Sequence, residues 1–440
     1  MAQDLKKFHA KLLKNLSKLL TNNDFIESYS VDRKHFKRKR KLPFQIVTLL
    51  ILQLLKSSVK TELKSFYTAI FKVDEVVNWV TDSAFCKARQ KIKHQLFIDL
   101  QKFIVRFFYA NIGGKRWFHF RLLAVDGSEI NLPSSKELLA KYGCHHINSI
   151  GTKIPQARTS FLCDTLNFIT IDAQIEPFKV GEQQMFESHL PHIGKGDMLT
   201  ADANYGHFRI MKSILATKAD FCIRMSKCSN FIKDFLKSGE QDVVVEWFPS
   251  PKTIANCKKH NASTTPLQIR LVRIELSKNE TEVLAISLLD KNKYNYGCIK
   301  GLYDKRWGVE EEIKKFMQRL VIEFFSSIKE NGILQDFYAN IFMLNLVSFL
   351  AQPVVDEIYE SSSNNKYRKQ INWTSALGDV RKRLSLLFLR GINQIDSILR
   401  SLWKSFTINT GTIKPGRKFP RDKRKKGSRQ KAYINYKPAW

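Results

Sequence analysis

Glycine and proline are scarce in this chain, at 19 and 12 of 440 residues, which excludes collagen-like and low-complexity architectures. Cysteine is scarce too: seven residues, Cys86, Cys144, Cys163, Cys222, Cys228, Cys257 and Cys298, odd in number and scattered. That is not a disulfide framework, and a reduced, cytoplasmic chain is expected. Acidic residues are few, 41 Asp+Glu against 73 Lys+Arg, for a formal net charge of +32. Such an excess repels itself unless something anionic neutralises it, so nucleic acid or an anionic membrane surface is the expected partner. The most apolar run, Leu42 to Leu55, carries Gln45 and Gln53 and falls short of the roughly 20 residues that span a bilayer, so no membrane is expected. The opening residues Met1-Ala2-Gln3-Asp4-Leu5-Lys6-Lys7 hold no signal-peptide apolar region. No glycine-rich phosphate loop is found, so no nucleotide-driven motor is expected.

What is present is a core. Hydrophobic residues make up 43% of the chain and aromatics 12%, with 31 Phe, which excludes disorder over the whole length. At roughly 150 residues per domain the length predicts about three structural units. Leu5, Phe8, Leu12, Leu16 and Leu19 recur at helical spacing; Phe44, Val47, Leu50, Ile51 and Leu54 make a buried helical stripe after Pro43. Thr81-Asp82-Ser83 offers caps for another helix. Residues 1–112 therefore read as an all-helical basic domain, with seven basic residues in the nine from Arg33 to Lys41.

The period then changes. Phe118 to Val125 predicts a short strand ending at Asp126, and Met198 to Ala201 another ending at Asp202. Arg158 to Cys163 and Phe168 to Ile175 flank a hairpin turn at Asp164-Thr165-Leu166-Asn167, and Phe221 to Arg224 predicts a further strand. Strands with intervening helices indicate a mixed α/β sheet over 113–226. Residues 227–297 are β-rich and read as an insertion separate from that sheet. Helical spacing resumes over 298–355, from about Tyr303 to Leu320 and in Ile333 to Leu350, and again over 366–412. The tail, 413–440, has eleven basic residues and one acid between Lys414 and Lys437 and reads as a solvated polybasic arm.

Three carboxylates stand out by position. Asp126 and Asp202 end short buried strands, and Glu310 lies on a later helix. Hard divalent cations take oxygen ligands, and a pair of them handles phosphodiester chemistry from such a set. The alternative is that strand-end Asp residues form turns and that Glu310-Glu311-Glu312 is a solvated face. On a helix, Arg306, Glu310 and Lys314 share one side, either as a ligand flanked by cations or as a surface salt-bridge ladder. Tyr303 and Trp307 are also four apart, spaced to stack on an unpaired base or to pack in the core. Cys144-His145-His146 and Cys257-x-x-His260 lack a partner Cys-x-x-Cys and read as buried thiols. His189, His192 and His207 pair with no nucleophile in the sequence and read as satisfied structural histidines.

The segment Tyr303-Asp304-Lys305-Arg306-Trp307-Gly308-Val309-Glu310 resembles the Tyr-x2-Arg-x3-Glu signature of DDE-type bacterial insertion-sequence transposases, in the family marked by Tyr-Arg-Glu-Lys. Leu123-Ala124-Val125-Asp126-Gly127-Ser128 is similar to that family's first acid region, and Leu199-Thr200-Ala201-Asp202 to its second. The likeness extends over at least residues 30–350 and includes Val80 to Arg89. It implies a ribonuclease H-like catalytic core over 113–226 and 298–355, with the insertion between the second Asp and the Glu. It further implies a basic N-terminal domain that binds element ends and a synaptic homodimer on double-stranded DNA.

On that resemblance Asp126, Asp202 and Glu310 are the metal-binding triad of a two-metal site that takes magnesium, with manganese as the alternative ion. Tyr303, Arg306 and Lys314 are expected at the transferred strand; Lys315 beside Lys314 is expected at phosphate, Trp307 at DNA as a stacking ring, and Arg38, Arg40 and Lys41 of the basic N-terminal run at DNA phosphates. Met317 stands where the signature has Lys, and Ala203-Asn204-Tyr205 where the family commonly has Arg-Gly-Tyr. The implied activity is cut-and-paste transposition: strand cleavage at terminal inverted repeats, a hairpin intermediate, and insertion into target DNA. The rival readings are a metal-dependent nuclease of the same core and a non-catalytic DNA-binding relic.

Overall fold

The computed structural model describes residues 2–38, 40–53, 58–71, 80–144, 151, 153–277, 280–306, 322–389 and 392–413. Helices come first: α1 (Ala2–Leu19), α2 (Asn23–Tyr29), α3 (Phe44–Leu52), α4 (Val59–Phe71), α5 (Asp82–Arg89) and α6 (Gln95–Asn111). Then follow β1 (Arg121–Asn131), α7 (Lys136–Tyr142), β2 (Gln156–Asp164), β3 (Ile169–Pro177), α8 (Glu182–His189), β4 (Asp197–Ala201), α9 (Phe208–Ala216) and β5 (Asp220–Arg224). After them come α10 (Asn230–Lys237), β6 (Asp242–Trp247), α11 (Pro251–Lys259), β7 (Leu267–Ser277), β8 (Glu280–Ile286) and α12 (Tyr296–Asp304). The last described elements are α13 (Glu330–Glu360), β9 (Lys369–Ile371), α14 (Trp373–Leu389), α15 (Ile392–Ile408) and β10 (Thr410–Thr412). The chain divides into two compact units.

The first unit comprises Met1–Gly113, Ile130–Ala157 and Lys314–Trp440. Its described core is helical. Of the predicted stripe on α1, Leu12 and Leu16 are buried and Leu5, Phe8 and Leu19 half-buried, with Leu13 and Leu20 buried beside them. Thr81 caps α5, its Oγ1 accepting from the Ala84 N–H at 3.1 Å. The central element is α13, and α1, α3, α6, α14 and α15 all pack on it. The N-terminal helices therefore close no core of their own, and the expected separate 1–112 domain shares its core with helices more than 200 residues later. Arg89 is the polar pin of this packing. It is buried and donates to Gln335 Oε1 at 3.0 Å, the Gly332 carbonyl at 3.1 Å and Asp336 Oδ1 at 2.9 Å. By length and composition α13 is the one described helix apolar enough to cross a membrane, and 72% of that stretch is buried in protein. Reading for uninterrupted apolar runs passes over it, because Gln335, Asp336, Asn340 and Asn345 break the sequence.

The second unit comprises Gly114–Glu129 and Arg158–Ile313 and is built on one eight-stranded sheet, in the order β3-β2-β1-β4-β5-β8-β7-β6. β1, β4 and β5 are parallel neighbours, while β8, β7 and β6 add in antiparallel fashion beyond β5. Parallel pairing needs crossovers, and the segments carrying α8 and α9 supply them. All five residues of β4 are buried, as a strand covered on both faces must be. This is the mixed α/β architecture that the alternation of strands and helices predicts.

Two expectations are corrected here. The strand predicted to end at Asp126 continues to Asn131, because β2 pairs along its other side; the Thr159 hydroxyl donates to the Ser128 carbonyl at 2.9 Å. The strands of 227–297 are not separate from the core sheet, since Arg224 of β5 is in register with Leu284 of β8. Ile269 to Val272 of β7 and Val283 to Ile286 of β8 are buried in continuous runs, as strands covered on both faces are, and hydrogen-bonding to the free edge of β5 places them inside the sheet. The predicted hairpin at residues 164–167 forms, with the buried Asp164 accepting from the Leu166 and Asn167 N–H groups at 3.1 and 3.2 Å.

Candidate active site

The sheet register brings the two Asp residues together. Ala124 of β1 is in register with Thr200 of β4, and two residues further along both parallel strands stand Asp126 and Asp202. An even offset keeps both side chains on the same face, and neighbouring strands lie about 4.8 Å apart. The Thr200 hydroxyl ties the strands just before the acids, donating to the Leu123 carbonyl at 3.1 Å. Asp126 Oδ1 accepts from the Gly127 N–H at 2.8 Å. Asp202 ends its strand and caps a short turn, Ala203–Tyr205, with Oδ1 accepting from the Asn204 N–H at 2.9 Å. Both acids are half-buried.

A third carboxylate, which the sequence did not single out, reaches this pair. A Cβ on Gly127 would lie 3.1 Å from Glu182 Cδ and 3.2 Å from its Oε1, so the Glu182 side chain lies against the residue that follows Asp126. Glu182 Oε2 also accepts from Asn204 Nδ2 at 3.3 Å. The phenol of Tyr205 is buried within the turn. Burial pushes its pKa well up; Glu182, Asp126 and Asp202 add to that, and the Ser160 hydroxyl offsets part of it. Three carboxylates thus act on one phenol.

A cation arrives from the next strand. Ala201 is in register with Ile223, so Arg224 stands beside Asp202 at the end of β5. Its Nη1 donates to Glu282 Oε1 at 2.7 Å. Burial works against the Arg224 charge, but Glu282, Tyr303 and Asp202 more than offset it and its pKa is raised. The turn holding Asp202 is seated on the same strand: a Cβ on Gly206 would lie 2.8 Å from the Arg224 carbonyl oxygen. Tyr303 is buried on α12 in a cluster with Leu122, Met198, Cys222 and Leu284. Its pKa is raised by burial, against the charges of Arg306 and Arg224. Arg306 is buried too, its guanidinium carbon 5.4 Å from the Tyr303 ring centroid. Of the signature residues, then, the two described ones lie inside the fold. Arg224 escaped sequence reading because only strand register brings it to Asp202.

Glu310, Trp307, Lys314, Lys315 and Met317 lie outside the described residues. Among the described residues no group of three or more His, Cys, Asp or Glu side chains is arranged to hold a metal ion. Two carboxylates side by side are nonetheless the hard-oxygen donors that magnesium or manganese takes, and they leave coordination positions for phosphate and water. Arg38, Arg40 and Lys41 belong to the first unit, where all three are exposed.

One histidine departs from the sequence expectation. His189 does pair with a hydroxyl: its Nε2 is 2.9 Å from Ser160 Oγ, and its Nδ1 is 2.7 Å from Asp172 Oδ2. That is the connectivity of an acyl-transfer triad, but Ser160 and His189 are fully buried and no substrate reaches them. Cys257 is buried, and His260 Nδ1 is held 3.2 Å from Glu187 Oε1, so neither is free for zinc. His145 and His146 lie outside the described residues.

The family model described as the transposase DDE domain matches residues 117–346, just over half of the chain. No curated protein matches. Among solved structures, the chain is similar to piggyBac transposase in a cryo-EM synaptic complex with hairpin DNA, at 12% sequence identity and a TM-score of 0.44. That likeness covers 89% of this chain and 85% of that one.

Proposed function

Because this chain belongs to the DDE transposase family, we propose that it cleaves DNA at the ends of a mobile element and joins those ends to new DNA, with Asp126 and Asp202 as the core of the site. The observation that supports the reading is the register of Ala124 with Thr200, which sets Asp126 and Asp202 each two residues further along neighbouring parallel segments. Glu310 is proposed as the third carboxylate. These carboxylates would hold a divalent ion, which when bound would supply activation of an attacking oxygen and stabilisation of the leaving one. The residues around it do the positioning. The turn after Asp202 fixes its carboxylate through the Asn204 N–H, and the Gly127 N–H fixes that of Asp126. Arg224, restrained by Glu282, brings a fixed positive charge where phosphate oxygens approach. Tyr303 of α12 and Arg306, two residues past that helix, support that end of the sheet, and Trp307, Lys314 and Lys315 are proposed at the DNA.

The finer steps follow the family resemblance. Water attack at each end frees a 3′-hydroxyl, which attacks the opposite strand to close a hairpin; the hairpin is reopened before insertion. Exposed Arg38, Arg40 and Lys41 are proposed for phosphates of the element end, with two copies of the chain pairing the ends in a synaptic complex. The test is Asp202→Asn with a labelled fragment of the element's own end and magnesium. The variant keeps the side chain's size and loses its charge, so DNA binding should persist while nicks, hairpins and joined products disappear. Nicking at a near-wild-type rate by Asp202→Asn would overturn the proposal.

A further inference from the structure

Beside the acid pair the second unit carries an open cavity of about 980 Å³. Its near end is Glu182 and Asn204, the two residues bonded across the turn of Asp202. Its far end is Asn256, Lys259 and His260, from α11 and the residue after it. Among the described residues the lining holds no aliphatic side chain larger than alanine and no Phe, Tyr or Trp. Small-molecule sites are mostly apolar, and bases are held by stacking on aromatic rings, so this lining suits neither. It suits a backbone of phosphates, which is met by cations and by neutral amide and hydroxyl donors.

The charges agree. Glu187 is committed to Arg209 and His260, an arrangement that also pins the end of α11 to α8 and α9. Lys259 is exposed and has no ion-pair partner among the described residues. Helix α11 carries Lys252, Lys258 and Lys259 and no acid. Arg158 is stacked on Phe178 at 5.0 Å and held by the Val180 carbonyl at 3.2 Å and Glu129 at 3.7 Å, while its buried Nε has no partner among the described residues. The first turns of α8 and α9 line the cavity as well, and no side chain caps either of them.

We propose that this cavity is a channel for the DNA sugar-phosphate backbone, leading from the acid pair to α11 and taking DNA without regard to sequence. The proposal rests on the transposase reading of Asp126 and Asp202. Sequence-independent duplex has two sources in transposition, the DNA flanking the element and the target, and both present the same chemistry to this lining.

The test uses the full chain and a duplex of unrelated sequence, with affinity measured from about 50 to about 200 mM salt. Neutralising one phosphate fewer flattens the log-log slope by about 0.9, so the advantage of wild type over Lys259→Glu should shrink about 3.5-fold across that range. Lys259→Gln, which removes the charge without reversing it, should show a similar slope change and stands in if the Glu variant does not fold. An unchanged slope in a folded variant overturns the channel. Nicking of end DNA by the unaltered protein, read in parallel, reports on the transposase reading separately. A photo-crosslinker at Asn256 then separates the sources: labelling of flanking or of target duplex supports the channel, and labelling of neither overturns it.

Discussion

Gly206→Ala probes whether the seat of Asp202 on β5 sets the site. The added Cβ would meet the Arg224 carbonyl oxygen at 2.8 Å and the Ala203 carbonyl oxygen at 3.3 Å, both of them backbone atoms that cannot rotate away. Ordinary van der Waals approach begins at 3.4 Å, so the turn and the strand end must part by about 0.6 Å. Overpacking of this kind costs about 1–3 kcal/mol. For a unit of this size that lowers the melting temperature by about 2–10 °C. The same displacement moves Asp202 against Arg224, and misplacing a reacting group by about 1 Å costs about 100-fold in rate. A loss of about tenfold is therefore expected in single-turnover nicking of end DNA at saturating protein and magnesium. If Gly206→Ala melts and nicks like wild type, the turn is not held by β5. If it loses stability and keeps its rate, the seat is structural and positions nothing at the site.

Two further outcomes are expected. Burial holds the His9 imidazole at a pKa of about 4, despite the Phe349 carbonyl beside it. The unfolded chain takes up that proton near the ordinary value of 6.5, so the stability contributed is whole above about pH 6.5 and is lost as pH falls toward 4; it amounts to about 3 kcal/mol. Urea midpoints at pH 7 and 4.5 should converge in His9→Phe, and an undiminished pH dependence would remove His9 as the cause. Deleting residues 414–440 removes eleven basic residues and should flatten the salt dependence of DNA affinity by about 0.9 for each phosphate the tail neutralises; an unchanged slope would make the tail a solvated appendage.

Local signals in the sequence carried well where local chemistry decides. Thr81 caps its helix, Asp164 closes its hairpin, and the β4 strand stops at Asp202, each because a side chain satisfies backbone groups a few residues away. The pattern failed where a distant partner decides. β1 runs past Asp126 because β2 is there to pair with it, and the strands after residue 240 join the sheet because β5 offers an open edge. The site divides the same way. Asp126 and Asp202 were legible as acids after apolar strands. Glu182 and Arg224 were not, since one comes from a helix start and the other from a neighbouring strand, and no spacing in the sequence encodes their approach.

Arg89 also sets an order of events during synthesis. Its bond to Asp336 spans 247 residues, and its other described partners lie between Ser326 and Gln335. At about 5–20 residues per second, a ribosome needs about 12–50 s to reach those partners after making Arg89. Through that interval the nascent N-terminal helices hold an arginine whose folded position is fully desolvated, and they lack the central helix on which they pack. The sheet unit, whose described sequence ends by Arg306, has no such wait. The nascent chain therefore completes its sheet unit while its basic N-terminal segment is still unclosed, and the helical unit forms only as the C-terminal helices emerge.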